Sequence, residues 1–206
     1  MTVPPLFDIS AGFAKTHEAS QGIFRQVLRS MSRPGLIVDI NPLVSASLGT
    51  KGSAAGSILL ALMDSDSSLN LSKNLQSSAW PKFLKFHTGC ILSETYAGSN
   101  FIWINDLKNL PSLHECDLGS ETFPESCTTL LLDVQAFQVT QSGTDSTSWT
   151  GPGILETISV DIAGVGASFW EERRLIRDVY PRGIDVIFCS ANQIVSLPRS
   201  TRIGGH

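Results

Sequence analysis

A chain of 206 residues with net charge −4 and only 17% charged residues lacks the basic face with which a general nucleic-acid binder neutralises phosphates. No apolar run approaches the roughly 18 residues that span a bilayer. The opening MTVPPLFDIS has neither the basic nor the apolar region of a signal peptide, so a cytoplasmic protein is expected. The apolar content of 42% is that of a globular domain, and a weakly charged surface suits large buried contacts, as it would a Ser-rich monomer.

Taken in chain order, residues 1–15 read as an N-terminal arm. A helix is predicted over 17–32, because Phe24, Val27, Leu28 and Met31 recur at helical spacing and form one apolar stripe. Arg25, Arg29 and Arg33 make a second stripe, expected well away from the first. Pro34-Gly35 ends the helix, and Leu36 to Ile40 reads as a strand. A Pro-, Ser- and Gly-rich loop over 41–52 leads to a helix over 53–64, with Asp64-Ser65-Asp66 as the turn out of it. A short strand near 68–72 and a helical stretch over 73–87, interrupted by Pro81, come next. Strands follow near 90–94 and 100–105. The segment 107–126 reads as mostly irregular.

Cys127 to Thr140 is the longest β-like run. Residues 141–149 have turn composition, and a strand is expected at 157–163. Gly164-Val165-Gly166 turns into a helix over 167–178. Ile184–Cys189 and Gln193–Leu197 form a hairpin about Ser190-Ala191-Asn192, and residues 198–206 leave the fold as a tail. Helices and strands alternate in the first half, and hairpins dominate the second. The expected architecture is therefore a single α/β domain over 1–206, with one mixed sheet flanked by helices.

The motifs carry little chemistry by themselves. Gly164-Val165-Gly166 lacks the third glycine of a dinucleotide loop, since Phe169 stands there, although Asp185 lies near the distance expected of the ribose-binding acid. A tight strand-to-helix turn is the default, with an anion at the helix N-terminus as the functional alternative. Gly49-Thr50-Lys51-Gly52-Ser53 has lysine and glycine in the wrong order for a phosphate loop. His87, three residues before Cys90, reads first as a histidine at a helix end. A Cys–His nucleophile pair is the competing reading. Cys90, Cys116, Cys127 and Cys189 include no Cys-x-x-Cys pair and read as free thiols, several of them buried, without a metal. The looser His114/Cys116 pair is a weaker metal candidate still. Lys82, Lys85 and His87 form a second basic patch, whose default is a solvated face.

The combination of segments is more specific than any one. Phe24-Arg25-x-x-Leu28-x-x-Met31-Ser32-x-Pro34-Gly35, the run Leu59 to Asp66, Phe86-His87-Thr88-Gly89, Thr150-Gly151-Pro152-Gly153-Ile154, Gly183 to Ile187 and Leu197-Pro198-Arg199-Ser200-Thr201 resemble, in order, the H subunit of carbon–phosphorus lyase. The pattern departs in 107–126 and at Ser67-Ser68.

The resemblance implies a subunit of a multisubunit assembly with the G, I and J subunits. There, G, H and I with an ATP-binding L partner exchange the adenine of ATP for a phosphonate, giving ribose 1-phosphonate 5-triphosphate. The radical iron–sulfur J subunit later breaks the carbon–phosphorus bond. It implies an essential subunit with no activity of its own, a homodimer in isolation, and a fold like a reduced pyridoxal-phosphate-dependent transferase large domain without the cofactor. It raises the weight of Arg25, Asp64, His87, Asp185 and Arg199 as ligand- or partner-binding residues in a polar cleft or docking surface. None is assigned a chemical step, and no metal or cofactor is expected. The alternatives are a stand-alone hydrolase or transferase using His87 and Cys90, and a module binding a phosphate ester.

Overall fold

The computed structural model describes residues 9, 11–13, 16–42, 48, 53–140 and 146–204. The expected 1–15 arm, the 41–52 loop with Gly49–Gly52, the start of the 141–149 turn and the last two residues lie wholly or mostly outside them. Among the described residues, two sheets form. The larger has seven strands, β1 (Val38–Asp39), β2 (Ser68–Leu71), β3 (Ile91–Ser93), β4 (Phe101–Ile104), β5 (Thr129–Asp133), β9 (Asp185–Ser190) and β10 (Gln193–Leu197), in the order β1-β10-β9-β5-β4-β2-β3. From β9 to β3 all neighbours are parallel; β10 and β1 are added antiparallel.

The central strands read as continuous apolar runs because both faces of the sheet are covered. Side chains alternate across a strand, so Leu131 of β5 enters one core and its neighbours Leu130 and Leu132 enter the other. The first core is roofed by α1 (Thr16–Ser32), α2 (Ser53–Leu62), the short α3 (Lys73–Gln76) and α4 (Trp80–Thr88). The second lies under α5 (Ala167–Ile176) and a four-stranded antiparallel sheet, β11-β7-β8-β6, built from β6 (Phe137–Thr140), β7 (Thr147–Thr150), β8 (Ile158–Ile162) and β11 (Arg202–Gly204). The mixed α/β domain is therefore a three-layer one, with the mixed sheet in the middle.

Several boundaries differ from the sequence reading for physical reasons. The run Cys127–Thr140 is two strands in two sheets. The chain leaves β5 at Val134, whose N–H bonds the Cys189 carbonyl at 2.8 Å, and enters the second sheet as β6. The stretch 73–87 is two helices, with Pro81 in the first turn of α4, where a missing N–H costs nothing. The tail does not simply leave the fold: β11 pairs with β7 and buries Ile203 between exposed Arg202 and Gly204. The segment 107–126 contains 3-10 turns at Leu107–Asn109, Leu113–Glu115 and Pro124–Ser126.

The apolar stripe of α1 is rotated relative to expectation. Ile23, Val27 and Ser30 face the core, whereas Phe24 and Leu28 are about half exposed. Two glycines permit close approaches between elements. Gly56 in α2 admits Trp80 of α4, whose ring would lie 2.2 Å from an added Cβ. Gly153, at φ +83, lets its loop close onto the end of α1, where a Cβ would lie 2.2 Å from the Ser32 carbonyl oxygen.

Candidate functional site

The five sequence-selected residues do not converge on one cleft. Arg25 stands on the exposed face of α1. Asp64 forms the turn between α2 and β2: its carboxylate accepts from the Ser67 hydroxyl at 2.8 Å and from the Asp66 N–H at 3.0 Å. The Ser67 hydroxyl bond, followed by the Asp66 N–H, holds the Asp64 carboxyl below the usual carboxylate range. His87 lies in the last turn of α4, its ring 4.5 Å from that of Phe83 and 5.0 Å from that of Phe86, with Gly12 against it. The turn carrying Asp64 meets the end of the same helix, since Gly89 at its C-cap packs on Ser65. Asp64 and His87 thus share one end of the helical layer, and Arg25 is separate.

Asp185 and Arg199 do meet, 58 and 72 residues after the Cys127 that accompanies them. They join the start of β9 to the chain just beyond β10. Asp185 Oδ1 accepts the Arg199 backbone N–H at 2.7 Å, and its Oδ2 lies 3.2 Å from Arg199 Nη2. Arg199 Nη1 also donates to the Pro124 carbonyl. The Cys127 thiol points at Asp185 Oδ2 from 3.8 Å. Gly183, at φ +155, leaves room for the Arg199 stem, which an added Cβ would meet at 3.0 Å. Behind them, buried Arg173 donates to the Pro198 carbonyl at 2.7 Å. Burial lowers its guanidinium to about 10, with Asp185 acting in the opposite sense. Burial, reinforced by Asp185, raises the Cys127 thiol to about 11. The geometry is that of a lock, in which a carboxylate closes a strand end on both backbone and guanidinium. It sits at the amino ends of β5 and β9, whereas open parallel sheets bind ligands at the carboxyl ends.

At those carboxyl ends lies a cavity of about 1020 Å³ that residue-by-residue reading did not select. It opens where β4, β5 and β9 stop, and Asn105, Asp133 and Cys189 line it from those ends. The Asn105 Oδ1 accepts from the Ser72 hydroxyl at 2.8 Å, tying the end of β4 to that of β2. Glu172 of α5 holds the opposite wall: its Oε2 accepts from the Ser112 hydroxyl at 3.0 Å and the Leu113 N–H at 2.6 Å. Gly164 and Gly166 bring the N-terminus of α5 to the cavity, and no side chain caps it. The sequence holds two signals for it, the polar residue closing each apolar strand and the Gly-x-Gly turn; only the turn stands out as a motif, because a polar residue after an apolar run ends most strands. Among the described lining residues, Asp106, Asp133 and Glu172 outnumber Lys108, a field that opposes a phosphate at the helix terminus.

All four cysteines are buried free thiols. Cys90 is 1% exposed within the helix-side core, beyond reach of a substrate. Among the described residues no group of His, Cys, Asp and Glu could hold a metal ion, and no helix is long and apolar enough to cross a membrane.

Fold and side chains together define a three-layer α/β protein whose charged residues serve turns, strand closure and an exposed helix face. Comparison with known proteins narrows the class. The model of the family described as bacterial phosphonate metabolism protein (PhnH) matches residues 11–204, and the chain belongs to that family. It is 29% identical over 194 residues to the alpha-D-ribose 1-methylphosphonate 5-triphosphate synthase subunit PhnH of Rhizobium meliloti, covering 94% of each chain. It is 27% identical over 183 residues to the putative C-P lyase subunit protein HtxG of Stutzerimonas stutzeri, covering 89% of this chain and 85% of the relative.

Proposed function

We propose that the protein is a subunit of the bacterial assembly that degrades organophosphonates, supporting formation of ribose 1-phosphonate 5-triphosphate from ATP and a phosphonate. The observation that carries this reading is the near end-to-end match to a phosphonate-metabolism family, together with two relatives that are themselves described as subunits. On this reading the polypeptide is one domain over 1–206 acting in the cytoplasm. Its partners are the G, I and J subunits of carbon–phosphorus lyase, and it pairs with itself when isolated. A reduced pyridoxal-phosphate-transferase-like core without the cofactor belongs to the same proposal. The parallel order of β9-β5-β4-β2-β3 beneath a helical layer is compatible with it.

Among the five selected residues, Arg25 and His87 are the proposed contributors to partner or ligand contact, because Arg25 is exposed on α1 and His87 is half-buried at the end of α4. Asp185 and Arg199 support it indirectly by closing the sheet. The competing Cys–His enzyme is disfavoured by the burial of Cys90.

The test is a deletion strain grown with methylphosphonate as the sole phosphorus source and complemented by the tagged chain. Growth should depend on the chain, and the tag should recover a fixed set of other polypeptides. Undiminished growth of the deletion strain, or elution of the tagged chain by itself, refutes the proposal.

A further inference from the structure

The face of α1 turned away from the core carries a pattern that the fold leaves unused. Phe24 and Leu28, one turn apart, are 47% and 51% exposed. Arg25 and Arg29 each follow by one position, so they form a parallel row about 100° further round the helix. Both are exposed, and Arg33 just past the helix end extends the row. Among the described residues, none of these three guanidinium groups has an ion-pair partner. The flanking acids are Glu18, which lies two turns before Arg25 on the same side of α1, and Glu156, in the loop beyond the helix end. That loop, seated on the end of α1 through Gly153, carries Leu155, which is 99% exposed.

A solvated helix face gains nothing from two large apolar side chains beside a run of like charges, because exposed apolar area costs free energy and like charges at i,i+4 repel. Apolar anchors next to arginine are the residue types that dominate binding at interfaces. We propose that this face of α1 docks into a groove with an apolar floor and an acidic rim on a different polypeptide of the phosphonate assembly, an inference that rests on the subunit reading above. A second copy of the chain fits poorly. An antiparallel two-fold contact would lay the arginine row against its own mate, and α1 of a second copy offers one acid, Glu18, to three arginines. A lipid surface fits less well too, because interfacial helices bind through a broad apolar face, and here the apolar side of α1 is spent on α2, β1 and β10.

The test places a photo-reactive phenylalanine analogue at Leu28 of the full-length chain in cells growing on methylphosphonate, and identifies the captured peptide by mass spectrometry. Capture of another subunit at a segment containing Asp or Glu is expected. The pair Arg25→Glu and Arg29→Glu should weaken that association by about 30-fold or more, and lysines in place of the captured acids should recover at least tenfold. Because the arginines are exposed, the purified double variant should melt with the wild type. The pair Phe24→Ser and Leu28→Ser gives a second, uncharged disruption with the same expected loss. Capture of a second copy, of residues 1–15 of the same chain, of a segment without acids, or of nothing overturns the proposal. So does failure of the charge swap, or flotation of the isolated protein with phosphatidylserine vesicles. If the tagged wild type still recovers its partners while Leu28 captures none of them, the docking face is wrong and the subunit reading stands.

Discussion

Replacing Asp185 by Asn keeps the shape of the side chain and removes the charge that Arg199, Arg173 and the Arg199 backbone N–H share. Its side chain is 12% exposed and that of Arg199 21%, so the pair lies between the surface regime of about 0–1 kcal/mol and the buried regime of about 3–5 kcal/mol for removing one partner. Two of its contacts are charge-assisted, each in the range of about 1.5–3 kcal/mol, and Asn retains one of them in neutral form. The expected loss is about 2–3 kcal/mol. Arg199→Ala should cost a similar amount, since it also removes one of the two donors to the Pro124 carbonyl, leaving the Cys127 N–H at 3.4 Å. The double variant should lose less than the sum, with a coupling of about 1–2 kcal/mol, because the two side chains act on one another. Urea unfolding followed by circular dichroism reads this as a midpoint lowered by about 1 M at a slope of about 2–3 kcal/mol/M. A midpoint within error of wild type in both single variants would show that the pair is not a lock. If those stable variants also failed to support growth on methylphosphonate, the role of Asp185 and Arg199 would be contact with a ligand or partner.

Other outcomes follow from the same geometry. Gly56→Ala should destabilise the protein by about 1–3 kcal/mol despite a helix-propensity gain of about 1 kcal/mol. The new Cβ meets a Trp80 ring that is itself wedged 5.1 Å from Trp103 and 5.8 Å from Phe83; an unchanged melting temperature would refute this. Arg25→Ala and His87→Ala should slow growth on methylphosphonate while leaving the melting temperature within a few degrees of wild type, and normal growth of the double variant would remove both from the site. Stability should fall as pH rises from about 9 to 10. Burial raises the thiols of Cys116 to about 12 and Cys127 to about 11, and puts Cys189 well above its ordinary value. The folded state therefore holds protons that the unfolded state releases, each thiol contributing a slope approaching about 1.4 kcal/mol per pH unit. Below pH 8 this contribution is constant, and above 10 the lowered guanidinium of Arg173 begins to act in the opposite sense. A urea midpoint independent of pH over 9–10 would contradict it. A thiol reagent at pH 8 should titrate the four cysteines only after unfolding, and rapid reaction of any one in the native protein would contradict its burial.

The sequence by itself determined the types of the apolar-patterned elements, because apolar spacing is a local property. The helices at 17–32 and 53–64, the strands at 100–105 and 157–163, and the hairpin about Ala191 all lie within a few residues of the predicted bounds, whereas Thr147–Thr150, read as turn, is a strand. It also marked the family through scattered short segments whose order needs no coordinates. The tertiary structure decided what each segment faces. Phe24 and Leu28 match the helical period as well as Ile23 and Val27 do, and only the placement of α2 and β10 selects which pair is buried. The continuous apolar run after Cys127 could not reveal that β5 and β6 belong to different sheets, since both are apolar for different neighbours. The pairing of Asp185 with Arg199, and the cavity at the ends of β4, β5 and β9, join residues far apart in the chain. Contacts of that range are set by strand order, which is a collective outcome of packing and is written in no single stretch of residues.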